Sequence, residues 1–250
     1  MPSHSKLSIV IPAFNEAHRL PVTLQTLRDR FPGATPQIIV VDDGSTDDTA
    51  AVARKANIDG LPVELVILDR NRGKGAAVRA GIAVTDGDQI LVMDADLATS
   101  LNAIDVMLGH LETADIVIGS RAVPGSSVTG SSAVRAMMGR GFNRMVRFVL
   151  QLHVHDSQCG FKLFRGDLAR HLFSMSRVDG YAFDPEILRI AAIMGCSVVE
   201  IPVDWTAIEG SNIRPVRDSL KSTGALLVTF FRLRPNRVRT RARERGWNPA

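Results

Sequence analysis

Hydrophobic and polar positions divide the first half of the chain into a regular beat. Short apolar runs at Leu7–Ile11, Gln37–Val41, Glu64–Leu68, Gln89–Met93 and Asp115–Ile118 read as strands. Segments of helical periodicity fill the gaps at Glu16–Phe31, Thr46–Ala56, Lys74–Val84 and Ala103–Leu111. Strands alternating with helices predict an α/β fold with a right-handed, Rossmann-like, doubly wound and mostly parallel sheet. The runs ending at Val41 and Met93 are apolar throughout, so both should be buried on two faces.

Each of those two runs ends in acid, at Asp42-Asp43-Gly44-Ser45 and at Asp94-Ala95-Asp96. Carboxylates are rarely buried without a partner, so these belong at the carboxyl ends of the strands, where open α/β sheets place ligands. Asp94 and Asp96 share one side of the strand by period-two alternation, so both can face one cation. Such a corner points to a metal-bound phosphate compound. Helix capping accounts for Asp43, Ser45, Thr46 and Asp47 but not for Asp94 and Asp96 together.

The second half is less regular. Pro124–Ser132 is rich in Gly and Ser and reads as a mobile loop. Ala133–Leu152 then sets Arg140, Arg144, Arg147 and Gln151 opposite Val134, Met138, Phe142, Met145, Val149 and Leu152. That pattern fits a helix packed on the core or a basic helix lying in a membrane surface. A strand is predicted at Ser197–Val203. Within Arg214–Leu233, the apolar stretch Ala225–Phe231 is too short to span a bilayer. The expected organisation is one domain, 1–231, with 133–152 and 214–231 as membrane-surface helices and 232–250 as an arginine-rich tail.

Composition narrows the class. With 45% hydrophobic and 22% charged residues, the 250-residue chain has the make-up of a globular domain. The net charge of +4 hides an asymmetry: from Arg232 onward seven arginines face one glutamate, so the rest of the chain carries −2. Such a tail suits anionic lipid; nucleic acid is disfavoured because Trp247 is its lone aromatic. Two cysteines exclude a disulfide framework or a zinc-cysteine site and fit a reducing compartment. His153 and His155 lack a third ligand, Met137, Met138 and Met145 read as filler, and nothing near Cys159 activates a thiolate. Leu7–Ile11 is too short for a signal-peptide core. The expected location is cytoplasmic, peripheral on the cytoplasmic face of a membrane. Nothing in the chain sets an oligomeric state.

Five motifs stand in order over about 120 residues: Ile11-Pro-Ala-Phe-Asn-Glu16, Val41-Asp-Asp-Gly-Ser45, Asp69-Arg-Asn-Arg-Gly-Lys-Gly75, Asp94-Ala-Asp96 and Gly119-Ser-Arg121. Together they resemble the family 2 glycosyltransferases of the GT-A fold. Asp156-Ser-Gln-Cys-Gly-Phe-Lys-Leu-Phe164, Tyr181-Ala-Phe-Asp-Pro-Glu-Ile-Leu188 and Trp205-Thr-Ala-Ile-Glu-Gly-Ser-Asn212 resemble the branch that makes dolichyl- or polyprenyl-phosphate sugars, of the β-glucosyltransferase type. The resemblance implies inverting transfer of a hexose, glucose from UDP-glucose, to a polyprenyl or dolichyl phosphate.

Carried over by motif, Pro12, Ala13, Phe14 and Glu16 should line the nucleotide pocket, and Asp43 should accept a hydrogen bond from the base. Lys74, Gly75 and the helix they open should neutralise phosphate. Asp94, Ala95 and Asp96 should meet the nucleotide sugar, with Asp94 and Asp96 holding Mg²⁺ or Mn²⁺ on the diphosphate and Arg121 clamping phosphate. Asp156, Gln158 and Lys162 are candidates near the acceptor phosphate or donor sugar; Asp184 and Glu186 for sugar hydroxyls; Ser211 and Arg214 for the acceptor. For Asp156 and Glu186 a purely structural hydrogen bond weighs about equally. Related mannosyltransferases often carry Gln where Ala98 stands, which weakens a mannosyl reading and leaves the replacement ligand open.

Three alternatives stay open: a GDP-mannose-dependent mannosyltransferase, transfer to a soluble alcohol with Asp184 or Glu186 as base, and a receiver-like phosphoacceptor module. The last leaves the second half of the chain without a role.

Overall fold

The computed structural model describes residues 6–33, 36–58, 61–130, 133–208, 224, 226, 228–244 and 247. Its central sheet has seven strands in the order β3-β2-β1-β4-β7-β5-β8. These are β1 (Leu7–Ala13), β2 (Gln37–Asp42), β3 (Val63–Ile67), β4 (Gln89–Val92), β5 (Ile116–Ser120), β7 (Lys162–Arg165) and β8 (Val198–Pro202). All neighbours are parallel except β7, which runs antiparallel between β4 and β5. The chain winds outward from β1 through β2 to β3, then returns to place β4 on the other side of β1. The β1/β4 boundary is therefore the topological switch point.

Period-two alternation on buried strands makes two cores. Ile9, Ile11, Ile38, Val40, Leu91 and Met93 point to one face, against α1 (Leu20–Arg30), α2 (Thr49–Ile58) and α4 (Ala103–Leu111). Val10, Ile39, Val41, Ile90 and Val92 point to the other. That side is covered by α3 (Lys74–Ala83), α5 (Ala133–Leu150), α6 (Gly166–Met175), α7 (Phe183–Met194) and α8 (Pro235–Glu244). The expected two-sided burial of the acid-terminated strands holds: Ile38 to Val41 and Ile90 to Met93 are at most 4% exposed.

The second half departs from expectation in three places. Residues 127–129, read as part of a loop, form β6 (Ser127–Thr129), which pairs with β9 (Asp204–Thr206) in a small parallel ribbon. The strand β7 and helices α6 and α7 occupy a stretch read only for motifs. The arginine-rich segment does not simply trail away: α8 buries Val238 and Ala242 in the core that includes α7. Its Arg237, Arg239, Arg241 and Arg243 remain on the surface. Most of the predicted helix 214–231, with Ser211 and Arg214, lies outside the described residues; residues 228–232 are helical. Among the described residues no helix is long and apolar enough to cross a membrane.

Candidate active site

The loops after β1, β2 and β4, with the start of α3, meet at the carboxyl edge of the sheet. The first two are stapled together. Asn15 N–H donates to Ser45 Oγ at 2.9 Å, Glu16 N–H to Thr49 Oγ1 at 2.8 Å, and Thr46 N–H to Asn15 Oδ1 at 2.9 Å. The capping residues of the sequence thus hold the Pro12–Glu16 loop as well as their own helix. Arg19, not foreseen, forks onto Glu16 with Nε–Oε2 2.6 Å and Nη2–Oε1 2.8 Å. The i,i+3 spacing of these two side chains is the signal that could have found it. Burial raises the Glu16 pKa, opposed by Arg19 and reinforced by the charges of Asp96 and Asp94.

Asp43 is 3% exposed and accepts the N–H groups of Arg72 and Gly73, both at 2.8 Å. It fastens the 69–73 loop to the end of β2. Gly44, at φ +68°, packs so closely on the backbone of Arg70 that no side chain fits there. Burial raises the Asp43 pKa, partly offset by the two backbone bonds.

The start of α3 corrects one expectation. Gly75 and Ala76 donate their N–H groups to Asp179 O at 2.7 and 3.2 Å, so those donors are already used. The cation at this helix start is the Lys74 side chain. Its ammonium is paired with Asp94 Oδ1. Burial disfavours that charge, but Asp94 and Asp184 outweigh it and move the pKa upward.

Asp94 and Asp96 follow β4 as predicted, both partly exposed. Ala98 N–H donates to Asp96 Oδ1 at 3.0 Å. Burial and the neighbouring Asp94 charge raise the Asp96 pKa. Among the described residues no group of three metal-ligating side chains occurs, and His155 pairs with Glu200 at 2.8 Å. Two hard oxygen donors with mutual repulsion and solvent access fit a magnesium or manganese ion that takes its other ligands from diphosphate and water.

Across the edge, Arg121 is not free to clamp a phosphate in the predicted manner. Its Nε and Nη2 bind Asp156 at 2.6 and 2.9 Å, and its guanidinium lies over the Trp205 ring, 5.4 Å from the centroid. Burial opposes the Asp156 charge, yet Arg121 outweighs it and holds the carboxyl down at about 2. Asn143 of α5 adds a bond to Asp156 at 3.2 Å, and Gln158 N–H another at 3.2 Å. Lys162 is likewise spoken for: its ammonium binds Cys159 O and Asp184 Oδ1, each at 2.5 Å, with both side chains buried. Cys159 itself is inert, burial pushing its thiol up to about 11.

Glu186 was a sugar-contact candidate, and its surroundings correct that. It is 0% exposed and accepts from Ser176 Oγ at 2.6 Å, from the N–H groups of Arg177 and Val178 at about 3 Å, and from Arg232. It fixes the 176–178 turn, and through it the Asp179 carbonyl over α3.

The family model for "Glycosyl transferase family 2" matches residues 8–173. The chain belongs to that family. Among curated members it is 38% identical to the dolichyl-phosphate β-glucosyltransferase of Homo sapiens over 246 residues, covering 92% of this chain and 75% of the other. The Dictyostelium discoideum protein of the same name is 35% identical over 243 residues, 90% of this chain and 74% of the other. Among solved structures, glucosyl-3-phosphoglycerate synthase from Mycobacterium tuberculosis in complex with UDP has the same fold. The TM-score is 0.68 at 21% identity, covering 91% of this chain and 81% of that one. A complex of that enzyme with Mn²⁺, UDP and glucosyl-3-phosphoglycerate superposes with a TM-score of 0.69 at 20% identity, with the same coverage. The family 2 assignment and the GT-A fold expected from the motifs are thereby established.

Proposed function

We propose that this family 2 glycosyltransferase moves glucose from UDP-glucose to a dolichyl or polyprenyl phosphate with inversion. The observation that carries the reading is the state of the carboxylates. An alcohol acceptor needs a base, and Asp184 and Glu186, the side chains suggested for it, are locked in buried ion pairs with Lys162 and Arg232. A phosphate acceptor is already anionic near neutral pH and needs none. Its oxygen forms the new bond to the anomeric carbon as the bond to the diphosphate breaks and UDP leaves with the electron pair. The names of the curated relatives support the same acceptor and sugar.

The chain's own residues orient the donor. Pro12, Ala13, Phe14 and the Asp43-anchored loop wall the nucleotide, while Lys74 meets the diphosphate. Asp94, Ala95 and Asp96 close this side of the pocket, and Asp94 and Asp96 would hold Mg²⁺ or Mn²⁺. When bound, that ion offsets charge on the departing diphosphate. Arg121, held level by Asp156 and Trp205, shapes the wall that an incoming phosphate would meet, with Gln158 close by. Ser211 and Arg214 remain proposals on the motif alone.

A membrane-embedded acceptor also suits α5. Its outer stripe carries Met137, Arg140, Arg144 and Phe148, the last 86% exposed, and Val228 and Phe231 are likewise exposed beyond it. We place the protein on the cytoplasmic face of a membrane, held by these side chains and the α8 arginines. Purified protein incubated with Mn²⁺, UDP-glucose or GDP-mannose, and either short polyprenyl phosphate or soluble alcohols tests the assignment. Glucosyl lipid from UDP-glucose is expected; product on the alcohols alone would overturn it.

A further inference from the structure

Resting on the metal reading above, one side chain carries a further role. The Asp94 carboxylate is already engaged: Oδ1 is paired with Lys74 and Oδ2 lies against Gly160, with 38% of the side chain left exposed. Asp96, by contrast, spends Oδ1 on a single backbone N–H. A cation entering the corner therefore competes with Lys74 for Asp94 but not for Asp96. Lys74 is also the cation at the start of α3 that can meet a diphosphate, where the Gly75 and Ala76 N–H groups are bound to Asp179 O. A single ammonium on a flexible stem thus faces two anions that it cannot serve equally.

We propose that Lys74 is a latch on Asp94: it stands in for the metal in the free enzyme and is drawn off by the incoming diphosphate, which makes metal loading depend on nucleotide. The claim is one of coupling, and coupling is reciprocal. Without nucleotide, metal sees Asp96 and a competing ammonium. With nucleotide, Lys74 turns to phosphate and Asp94 becomes a ligand.

Titration of the free Mn²⁺ aquo-ion by electron paramagnetic resonance, with and without saturating UDP, reads this directly. The wild type should bind Mn²⁺ weakly alone and more tightly with UDP. Lys74→Met should bind Mn²⁺ alone about tenfold more tightly, and the enhancement by UDP should shrink by a similar factor. Lys74→Arg, which keeps the charge, should stay near the wild type. An unchanged Mn²⁺ affinity in folded Lys74→Met overturns the latch. Equal tightening with and without UDP also overturns it, because a mere field effect would act on both states alike. Wild type that takes up no Mn²⁺ even with UDP would remove the metal reading itself, and the latch with it.

Discussion

Two sets of carboxylates lie within one edge of this sheet, and they are built on opposite principles. On the side proposed for the donor, Asp94 and Asp96 are partly exposed and alike in charge, and burial together with the Asp94 charge raises the pKa of Asp96. On the side proposed for the acceptor, Asp156, Asp184 and Glu186 are buried, and each is matched to one cation, Arg121, Lys162 or Arg232. Among the described residues Lys74 holds Asp94 while Asp96 makes no ion pair, so the first corner can still take a cation from outside. Paired buried charges are already neutralised; removing one partner leaves an uncompensated ion in low dielectric. The same residue type therefore binds in one corner and builds in the other.

Neutralising one acid in each corner breaks the comparison most sharply. Asp96→Asn should lower turnover by about a thousandfold, on the order of 4 kcal/mol in the barrier, while UDP binding survives in weakened form. The same change should raise the urea midpoint at pH 7, corresponding to about 1 kcal/mol of unfolding free energy, because it removes repulsion. Full activity at limiting metal, or a lower midpoint, would contradict the open-corner account. Asp156→Ala should do the reverse, losing about 3 kcal/mol of stability through the stranded Arg121. A loss below about 1 kcal/mol would mean that Arg121 finds another partner.

Acid titration sharpens the contrast. The Asp156 carboxyl falls from 3.8 to about 2 on folding. Its contribution is complete above the unfolded value and is lost as pH drops through the folded one. Asp96 and Asp184 shift upward, so the stability linked to them is present below 3.8 and declines as pH rises through their folded values. Between pH 4 and 2 the wild type should lose stability that Asp156→Asn does not lose. Urea midpoints along that range, compared between the two proteins, check the sign. Parallel curves would remove Asp156 from the acid limb.

The difference between the corners also explains what the sequence could tell. The side proposed for the donor was legible in outline because β2 and β4 are apolar runs that end in acid, and a parallel sheet places such ends together. The acceptor side was not. Its strand β7 has four residues, opens on Lys162 and inserts antiparallel between β4 and β5, so it gives almost no periodic signal. The buried carboxylates there have partners 22 to 46 residues away, and nothing local separates a committed Asp184 or Glu186 from a free one. Motif resemblance named these residues without showing which charges were already spent.

The smallest effect belongs to the surface that neither corner explains. Phe148 is 86% exposed on α5, whose Asn143 bonds Asp156 one turn earlier. If the exposed stripe serves a lipid surface, Phe148→Ser should change the unfolding free energy read from urea by no more than about 0.5 kcal/mol, since no packed contact is lost. Turnover on a short soluble acceptor should stay the same. Partitioning onto anionic vesicles should weaken severalfold, and the apparent KM for vesicle-borne polyprenyl phosphate should rise with kcat unchanged. Equal partitioning of the two proteins would detach α5 from the membrane. A fall in kcat on the short acceptor would instead show that the stripe steadies Asn143 and the Arg121–Asp156 pair, extending the built corner out to the helix surface.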